Sequence, residues 1–301
     1  MAAPVVELDH VTRRYGQVVA LDDVTLTIQA GEVVALLGPN GAGKTTAIGV
    51  MLGLRRPTRG TVRLFGLPPA DLDARSRCGV MLQESGTPEL LTVREIVELF
   101  GTYYPRRLRP EEALSLAGLE EQARTRLDRL SGGQRQRLFF ALAVTGDPEV
   151  LFLDEPTAGM DVEARRAFLA AIRRRARDGT TVVLTTHYLE EADQLADRVV
   201  VIDRGVIVAD APPAEIKSRV AGKRLTLRFA APVDPALFAG APATGVRADG
   251  EVVTMLSSRP VDVLRHVLAT NAELVDLDVG GADLEEAFVH LTGTRGAGRE
   301  R

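Results

Sequence analysis

Hydrophobic positions divide the first two thirds of the chain into short strands separated by helical segments. Residues Val24–Ile28 alternate between apolar and polar side chains, which predicts a strand with one buried face. Residues Val33–Leu37 are apolar throughout, which is typical of a central parallel strand covered on both faces. Further strand-length apolar runs are Val80–Leu82, Val150–Leu153, Thr181–Thr185 and Val199–Ile202. Helical patterns lie between them at Val162–Arg177 and Tyr188–Leu195. This alternation predicts an α/β protein with a mostly parallel sheet.

Three helical patterns interrupt the alternation between about residues 84 and 147 and predict a helical subdomain there. They are Arg94–Tyr103, Glu111–Ala117 and Ser131–Val144. The sequence Ala211-Pro212-Pro213 then marks a break in regular structure.

A different rhythm of short strands and helices begins beyond this break. Its elements are predicted at Arg224–Phe229, Val252–Leu256, Val261–Leu268, Leu274–Val279 and Leu284–Leu291. We therefore expect a first domain over residues 1–220, a small α/β domain over 221–292 and a disordered tail over 293–301.

Bulk composition narrows the kinds of partner and compartment. A formal charge of −4 gives no electrostatic reason to expect nucleic acid as a partner. Cys78 is the only cysteine, so an internal disulfide is impossible. The longest apolar run without Gly or Pro is Leu138–Val144, far shorter than the ~18 residues needed to cross a bilayer. The N-terminus has no signal-like layout, so we expect a soluble chain that reaches a membrane only through a partner.

A glycine-rich loop between a buried strand and a helix provides the first chemical signal. The strand Val33–Leu37 leads into the loop and the helical segment Thr46–Leu52 follows it, the order that phosphate-binding loops require. The glycines let main-chain N–H groups surround phosphate oxygens, and the helix N-terminus adds a favourable dipole. Lys44 is predicted to bridge the β- and γ-phosphates, Thr45 to ligate Mg²⁺ and Thr46 to reach the α-phosphate. The nucleotide-binding residues predicted here are Gly38, Pro39, Asn40, Gly41, Ala42, Gly43, Lys44, Thr45 and Thr46.

A second buried strand ends in two carboxylates. Residues Leu151–Leu153 are apolar and lead directly into Asp154 and Glu155. Such a strand brings Asp154 to the carboxyl edge of the sheet, where it is predicted to hold Mg²⁺ through water. Glu155 is suited to orient and deprotonate an attacking water. Burying two neighbouring charges without a cation is costly, which disfavours a purely structural role.

A third segment, Leu130–Gln134, ends 20 residues before Asp154 (154 − 134 = 20). Ser131 is suited to cap a helix, and Gly132 and Gly133 allow an anion to approach its N-terminus. With the other two segments, it resembles the signature sequence of ABC transporter ATP-binding subunits, and the resemblance covers roughly Val5 to Lys217. It implies a P-loop NTPase core with antiparallel N-terminal strands. It also implies two ATP molecules between two head-to-tail subunits, with each γ-phosphate contacting Ser131, Gly132, Gly133 and Gln134 of the opposite subunit.

The other positions of the family pattern are present as well. Tyr15 resembles the aromatic residue that stacks on adenine, and Gln83 resembles the glutamine that approaches both Mg²⁺ and the attacking water. Asp161 resembles the aspartate that communicates across the dimer, and His187 resembles the histidine that contacts the γ-phosphate. The resemblance thus implies that Gln83 and His187 act in catalysis together with Glu155 and Lys44. Every catalytic position carries a competent side chain, so hydrolysis of ATP is expected.

Several local segments are similar to the drug-exporter branch typified by the daunorubicin resistance ATPase. They are Leu82–Gly86, Leu91–Glu95, Thr186–Ala192 and Asp283–Phe288. The resemblance implies an export subunit on the cytoplasmic face of the membrane, with a homodimer or a paired ATP-binding subunit and a separate membrane permease. Drugs or other hydrophobic compounds would be its cargo. A soluble ABC ATPase that acts in protein or cofactor assembly is the alternative, because it would share the ATP site.

Overall fold

The chain divides into two compact units, residues 1–212 and 213–301, in a computed structural model. The structure describes residues 4–82, 90–218, 222–270, 272–281 and 284–293. The division between the units falls between Pro212 and Pro213, whereas the sequence analysis expected it near residue 220. The predicted tail lies almost wholly outside the described residues.

Two sheets form the first unit. Its strands are β1 (Pro4–Tyr15), β2 (Val18–Gln29), β3 (Val33–Leu37), β4 (Arg59–Leu64), β5 (Cys78–Met81), β6 (Val150–Asp154), β7 (Thr181–Thr185), β8 (Arg198–Asp203) and β9 (Val206–Ala211). One sheet is antiparallel with strand order β2-β1-β4. The other has the order β5-β6-β7-β3-β8-β9, and all its strands are parallel except β9. The predicted mostly parallel sheet with antiparallel N-terminal strands is confirmed.

Helices connect the strands of the first unit. They are α1 (Lys44–Met51), α2 (Leu72–Ser76), α3 (Val93–Gly101), α4 (Pro110–Ala117), α5 (Gly132–Val144), α6 (Val162–Arg177) and α7 (Leu189–Leu195), with a short 3₁₀ turn at Leu127–Arg129. The helices α3, α4 and α5 pack together and correspond to the three predicted between residues 94 and 144. The C-terminal half of α5 is buried, and an added Cβ at Gly79 of β5 would overlap the main-chain oxygen of Ala143. The parallel sheet and the helical layer therefore meet at very close range.

One apolar core joins the two sheets of the first unit through α1. It includes Leu8 and Ile28 of the antiparallel sheet, Ile48 and Met51 of α1, and Phe152 of the parallel sheet. All five residues of β3 and all five of β6 are buried, as the continuous apolar runs predict for strands covered on both faces. The loops that follow β3 and β6 are therefore anchored on rigid strands.

The second unit is an antiparallel sheet with its own core. Its elements are α8 (Pro213–Ser218), β10 (Lys223–Phe229), a 3₁₀ turn at Pro235–Phe238, β11 (Thr244–Asp249), β12 (Val252–Ser257), α9 (Pro260–Leu268), β13 (Leu274–Gly281) and α10 (Leu284–Gly293). The strand order is β11-β12-β10-β13. Alternate residues Leu225, Leu227 and Phe229 of β10 pack with Val263 and Val267 of α9. Within the described ranges of both units, no helix has the length and apolar character needed to cross a membrane.

Candidate active site

The glycine-rich loop is held in place by strands on both sides. Gly43 precedes α1 with φ 112°, and an added Cβ there would overlap the main-chain oxygen of Ala20. An added Cβ at Gly38 would overlap the main-chain oxygen of Ile202. Gly41 has φ 78°, a conformation that residues with a side chain rarely adopt. Both packing and backbone geometry thus require glycine in this loop.

The turn between β8 and β9 supports the same loop. The main-chain N–H of Gly205 donates to the carbonyl of Ala42 at 2.9 Å. The carbonyl of Gly205 accepts from the N–H of Asp22 at 2.8 Å. The turn therefore connects the loop, at Ala42, to β2 of the antiparallel sheet, at Asp22.

The ammonium of Lys44 is buried inside the loop that precedes it. Nζ donates to the carbonyl of Gly38 at 2.7 Å and to that of Pro39 at 3.2 Å. Burial lowers the pKa of Lys44, while the nearby carboxylates of Glu155 and Asp154 oppose that shift. A buried ammonium that contacts two carbonyls suits an anionic ligand, because the negative charge of the ligand would offset the cost of burying the positive charge.

A cavity of about 520 Å³ opens above this loop. Its lining residues are Ala20, Asn40, Gly41, Ala42, Gly43, Lys44, Thr45, Thr46, Glu155 and His187. The structure thus brings the phosphate-loop residues together with the predicted base and the predicted histidine, although Glu155 and His187 lie more than a hundred positions later in the sequence. This juxtaposition suits the binding of a nucleoside triphosphate whose γ-phosphate faces Glu155.

Asp154 ends β6 beside Thr185, the last residue of β7. The Thr185 hydroxyl donates to Oδ1 of Asp154 at 2.5 Å. Oδ2 is buried and has no hydrogen-bond partner among the residues that the structure describes, and Asp154 is only 2% exposed. An unpaired buried carboxylate oxygen is costly, and it fits a hard cation that takes oxygen ligands. The residues present therefore fit a Mg²⁺ site, with the exposed hydroxyl residue Thr45 in the adjoining cavity as a second oxygen donor.

Glu155 adopts a left-handed backbone conformation, with φ 48°. Its N–H donates to both oxygens of Thr185, to the carbonyl at 3.2 Å and to the hydroxyl at 2.9 Å. The carboxylate lies 3.2 Å from Nδ1 of His187. Backbone strain of this kind is retained where it aims a functional side chain. Here it directs Glu155 away from the path of β6 and toward the cavity and the imidazole.

The predicted signature segment forms the start of α5. Ser131 Oγ accepts from the N–H of Gln134 at 3.2 Å, and the Gln134 side chain accepts from the N–H of Ser131 at 2.9 Å. This reciprocal pair is a capping box. Ser131 and Gly132 are exposed, and an added Cβ at Gly132 or Gly133 would meet no atom of the described part of the chain within 4 Å. Internal packing therefore does not explain these two glycines, and none of the four residues lines the cavity described above.

The remaining predicted residues lie at separate positions. Tyr15 ends β1 and is 40% exposed, with the Arg13 guanidinium 4.4 Å from its ring centroid. Asp161 caps α6 by accepting from the N–H of Ala164 at 2.8 Å. Neither Tyr15 nor Asp161 lines the cavity. Gln83 lies outside the described residues.

Comparison with known proteins supplies the family. Residues 21–158 match the family model described as ABC transporter. The daunorubicin resistance ATP-binding protein DrrA3 of Streptomyces coeruleorubidus is 38% identical, over 97% of this chain and 97% of that protein. The chain belongs to the ABC transporter ATP-binding family. Members of this family bind and hydrolyse ATP, and the cavity above the glycine-rich loop is this chain's candidate ATP site. A second relative, the Nod factor export ATP-binding protein I of Burkholderia lata, is 37% identical over 96% of this ABC ATPase and 98% of its own length.

Solved ABC structures share the fold. An ATP-binding subunit of an ABC transporter is 29% identical with a TM-score of 0.65, covering 71% of this chain and 92% of that one. A dimeric ATP-binding cassette in a post-hydrolysis state bound to ADP and Pi is also 29% identical, with a TM-score of 0.63, covering 69% and 98%. The protein is therefore an ABC ATPase by sequence and by fold, and ATP hydrolysis, predicted from the sequence, is confirmed for its family.

Sequence reasoning missed three contributors to this ABC site. Thr185 joins Asp154 to the backbone of Glu155, and Ala20 lines the cavity. Glu191 accepts hydrogen bonds from Thr157 and Thr186, which flank the site. Thr185 could have been noticed, because it is a polar residue at the end of an apolar strand-length run, as Asp154 is. No local signal identifies Ala20, since its part depends on how β2 packs against the loop.

Proposed function

We propose that this ABC ATPase is the ATP-hydrolysing subunit of an export system. Two copies, or this chain and a paired subunit, close head to tail around two Mg-ATP and drive a separate permease from the cytoplasmic face of the membrane. The supporting observation is similarity to two export or resistance ATP-binding proteins over 96–97% of the chain, which includes the second unit. This coverage favours export over the alternative of a soluble assembly ATPase. Drugs or other hydrophobic compounds are the proposed cargo, by analogy with the resistance protein.

The residues in and beside the cavity divide the chemical tasks in this proposal. Lys44 and the N–H groups of the loop bind the phosphates, while Thr45 and Asp154 hold Mg²⁺. Bound Mg²⁺ would neutralise phosphate charge as the terminal bond breaks. Glu155 accepts the proton of the attacking water. His187 lies beside Glu155 and contacts the γ-phosphate. Gln83, Tyr15 and Asp161 keep the roles that the family resemblance implies for them, with Tyr15 on the adenine.

The open N-terminus of α5 supports a shared active site. The Ser131 hydroxyl accepts from the N–H of Gln134, whereas an added Cβ at Gly132 or Gly133 would meet no described atom within 4 Å. The ATP bound by the phosphate loop of a second copy could approach this end of the helix. The helix dipole favours an anion there, and the two glycines leave room for it. The two glycines, which the isolated chain does not need for packing, would then be required by the dimer.

Removal of one charge at Asp154 should separate activity from stability. In Asp154→Asn we expect Mg-dependent hydrolysis to fall by about 100-fold or more, because the metal site loses the negative charge of a carboxylate. The thermal midpoint of the nucleotide-free protein should not fall, since the change removes a buried negative charge while the amide oxygen still accepts from Thr185. Phosphate release and differential scanning calorimetry measure the two effects. A midpoint lowered by several degrees would instead make Asp154 a structural residue.

Purification from the native cell tests the proposed function. We would tag this chain, solubilise membranes in mild detergent and identify the proteins recovered with it. A polytopic membrane protein in stoichiometric amount is expected, and Lys44→Ala should recover it equally if ATP is not needed for docking. Recovery from the soluble fraction alone, with a soluble partner or none, would leave the ATPase intact and remove the export assignment.

A further inference from the structure

A buried carboxylate, Glu191, connects the two loops that carry Glu155 and His187. It lies in α7 and is 2% exposed. Oε1 accepts from the Thr157 hydroxyl at 2.6 Å, and Oε2 accepts from the Thr186 hydroxyl at 2.8 Å. Thr157 comes two residues after Glu155, and Thr186 immediately precedes His187. Each oxygen of one side chain therefore holds one of the two loops.

Stability alone does not account for a carboxylate at this position. The Arg165 guanidinium of α6 lies near it, with Nε 3.6 Å from Oε1, so the charge is compensated. Even a compensated buried ion pair contributes little net stability compared with well-packed apolar side chains. What the carboxylate does provide is two strong acceptors fixed in one plane, which define the spacing of the two hydroxyls.

The partner of Glu191 reaches the same histidine by a second route. The Arg165 guanidinium lies over the Tyr188 ring, 3.9 Å from its centroid. The Tyr188 ring centroid is 4.0 Å from that of His187, whose Nδ1 is 3.2 Å from Glu155. The N–H of Tyr188 also donates to the Thr186 hydroxyl at 2.9 Å. Glu191 and Arg165 thus support the backbone and the ring of the segment that presents His187.

We infer that Glu191 is a positioning residue for ATP hydrolysis. It fixes the loop after β6 against the loop after β7, and so keeps Glu155 and His187 in contact while ATP binds. The inference rests on the proposed roles of Glu155 and His187. It concerns the chemical step rather than nucleotide affinity, because none of the hydrogen bonds of Glu191 described above reaches the phosphate loop.

Substitutions at Glu191 test the effect on turnover. In Glu191→Ala we expect kcat to fall about tenfold or more and KM for ATP to stay within about twofold, the pattern of a lost transition-state contribution. Glu191→Gln retains one acceptor and should lose less. Glu190→Ala, an exposed neighbour on the same helix, is the matched control and should behave as wild type. In a His187→Ala background, Glu191→Ala should add little further loss if it acts through that histidine.

Amide hydrogen exchange of the nucleotide-free protein provides a readout that does not depend on activity. Glu191→Ala should speed exchange at Ala158, Met160 and Tyr188, which donate within the two loops, and leave Ala42 and Ala47 of the phosphate loop and α1 unchanged. Faster local exchange with unchanged kcat would overturn the inference while leaving the contacts intact. Faster exchange throughout the core, in both Glu191 variants, would make the role purely structural. If substitution of Glu155 or His187 leaves ATP hydrolysis unchanged, the proposed catalytic role of that residue is wrong. The exchange measurement still reports whether Glu191 holds the two loops.

Discussion

Glu155→Gln should bind ATP but hydrolyse it about 10²–10⁴ times more slowly than the unmodified protein, the usual contribution of a general base. The substitution keeps the size of the side chain. The left-handed backbone at residue 155 is held by main-chain bonds to Thr185, which the change does not touch. Only the proton acceptor and the charge facing His187 are lost. With hydrolysis blocked, ATP should remain in place and a dimer should accumulate.

Single-turnover phosphate release and size-exclusion chromatography in Mg-ATP measure these two effects. Glu163→Gln, an exposed position in the first turn of α6, is the matched control and should retain normal turnover. Turnover near the wild-type value in Glu155→Gln would remove Glu155 from the role of base. Loss of both ATP binding and turnover would show that the Glu155 carboxylate is needed to bind ATP rather than to activate the water.

Lys44→Ala should weaken ATP binding by about 100-fold, since each hydrogen bond from an ammonium to a charged acceptor contributes about 1.5–3 kcal/mol. The nucleotide-free protein should lose little stability. The stabilising effect of the hydrogen bonds from Nζ to the carbonyls of Gly38 and Pro39 is offset by the cost of burying the ammonium charge. The same burial lowers the pKa of Lys44.

Thermal unfolding with and without ATP measures this prediction. ATP at a hundredfold excess over Kd stabilises a binding protein by about 2.7 kcal/mol, and Lys44→Ala should lack most of that gain. Lys223→Ala, an exposed lysine in the second unit, should keep it. A full ATP-dependent gain in Lys44→Ala would mean that the phosphates bind elsewhere.

Local signals predicted much of this structure because the site is built from contiguous segments. The buried strand Val33–Leu37, its glycine loop and α1 follow one another directly, so pattern and chemistry agree over a short stretch. The same holds for β6 with Asp154, and for Ser131 at the start of α5. Each of these predictions depends on residues within about one turn or one strand of one another.

Elements without a buried face were missed. In β4 (Arg59–Leu64) only Leu64 is buried, and no residue of the edge strand β11 (Thr244–Asp249) is buried. These strands therefore show no alternation of apolar and polar residues that would predict them. They form because the neighbouring strands β1 and β12 offer main-chain hydrogen bonds. Thr185 and Glu191 were missed as site residues for a related reason. Their part arises from the pairing of β7 with β6 and from the packing of α7, which sequence spacing does not reveal.

Mixing two inactive variants tests most directly whether the active site is shared between two copies. Lys44→Ala retains an intact signature segment, and Ser131→Arg retains an intact phosphate loop but blocks the exposed end of α5. In a head-to-tail dimer, one site of the mixed pair would combine the sound loop of one copy with the sound signature of the other. The account predicts that the mixture hydrolyses ATP although neither variant does so alone. Normal hydrolysis by Ser131→Arg alone, or a mixture as inactive as its parts despite demonstrated pairing, would contradict it.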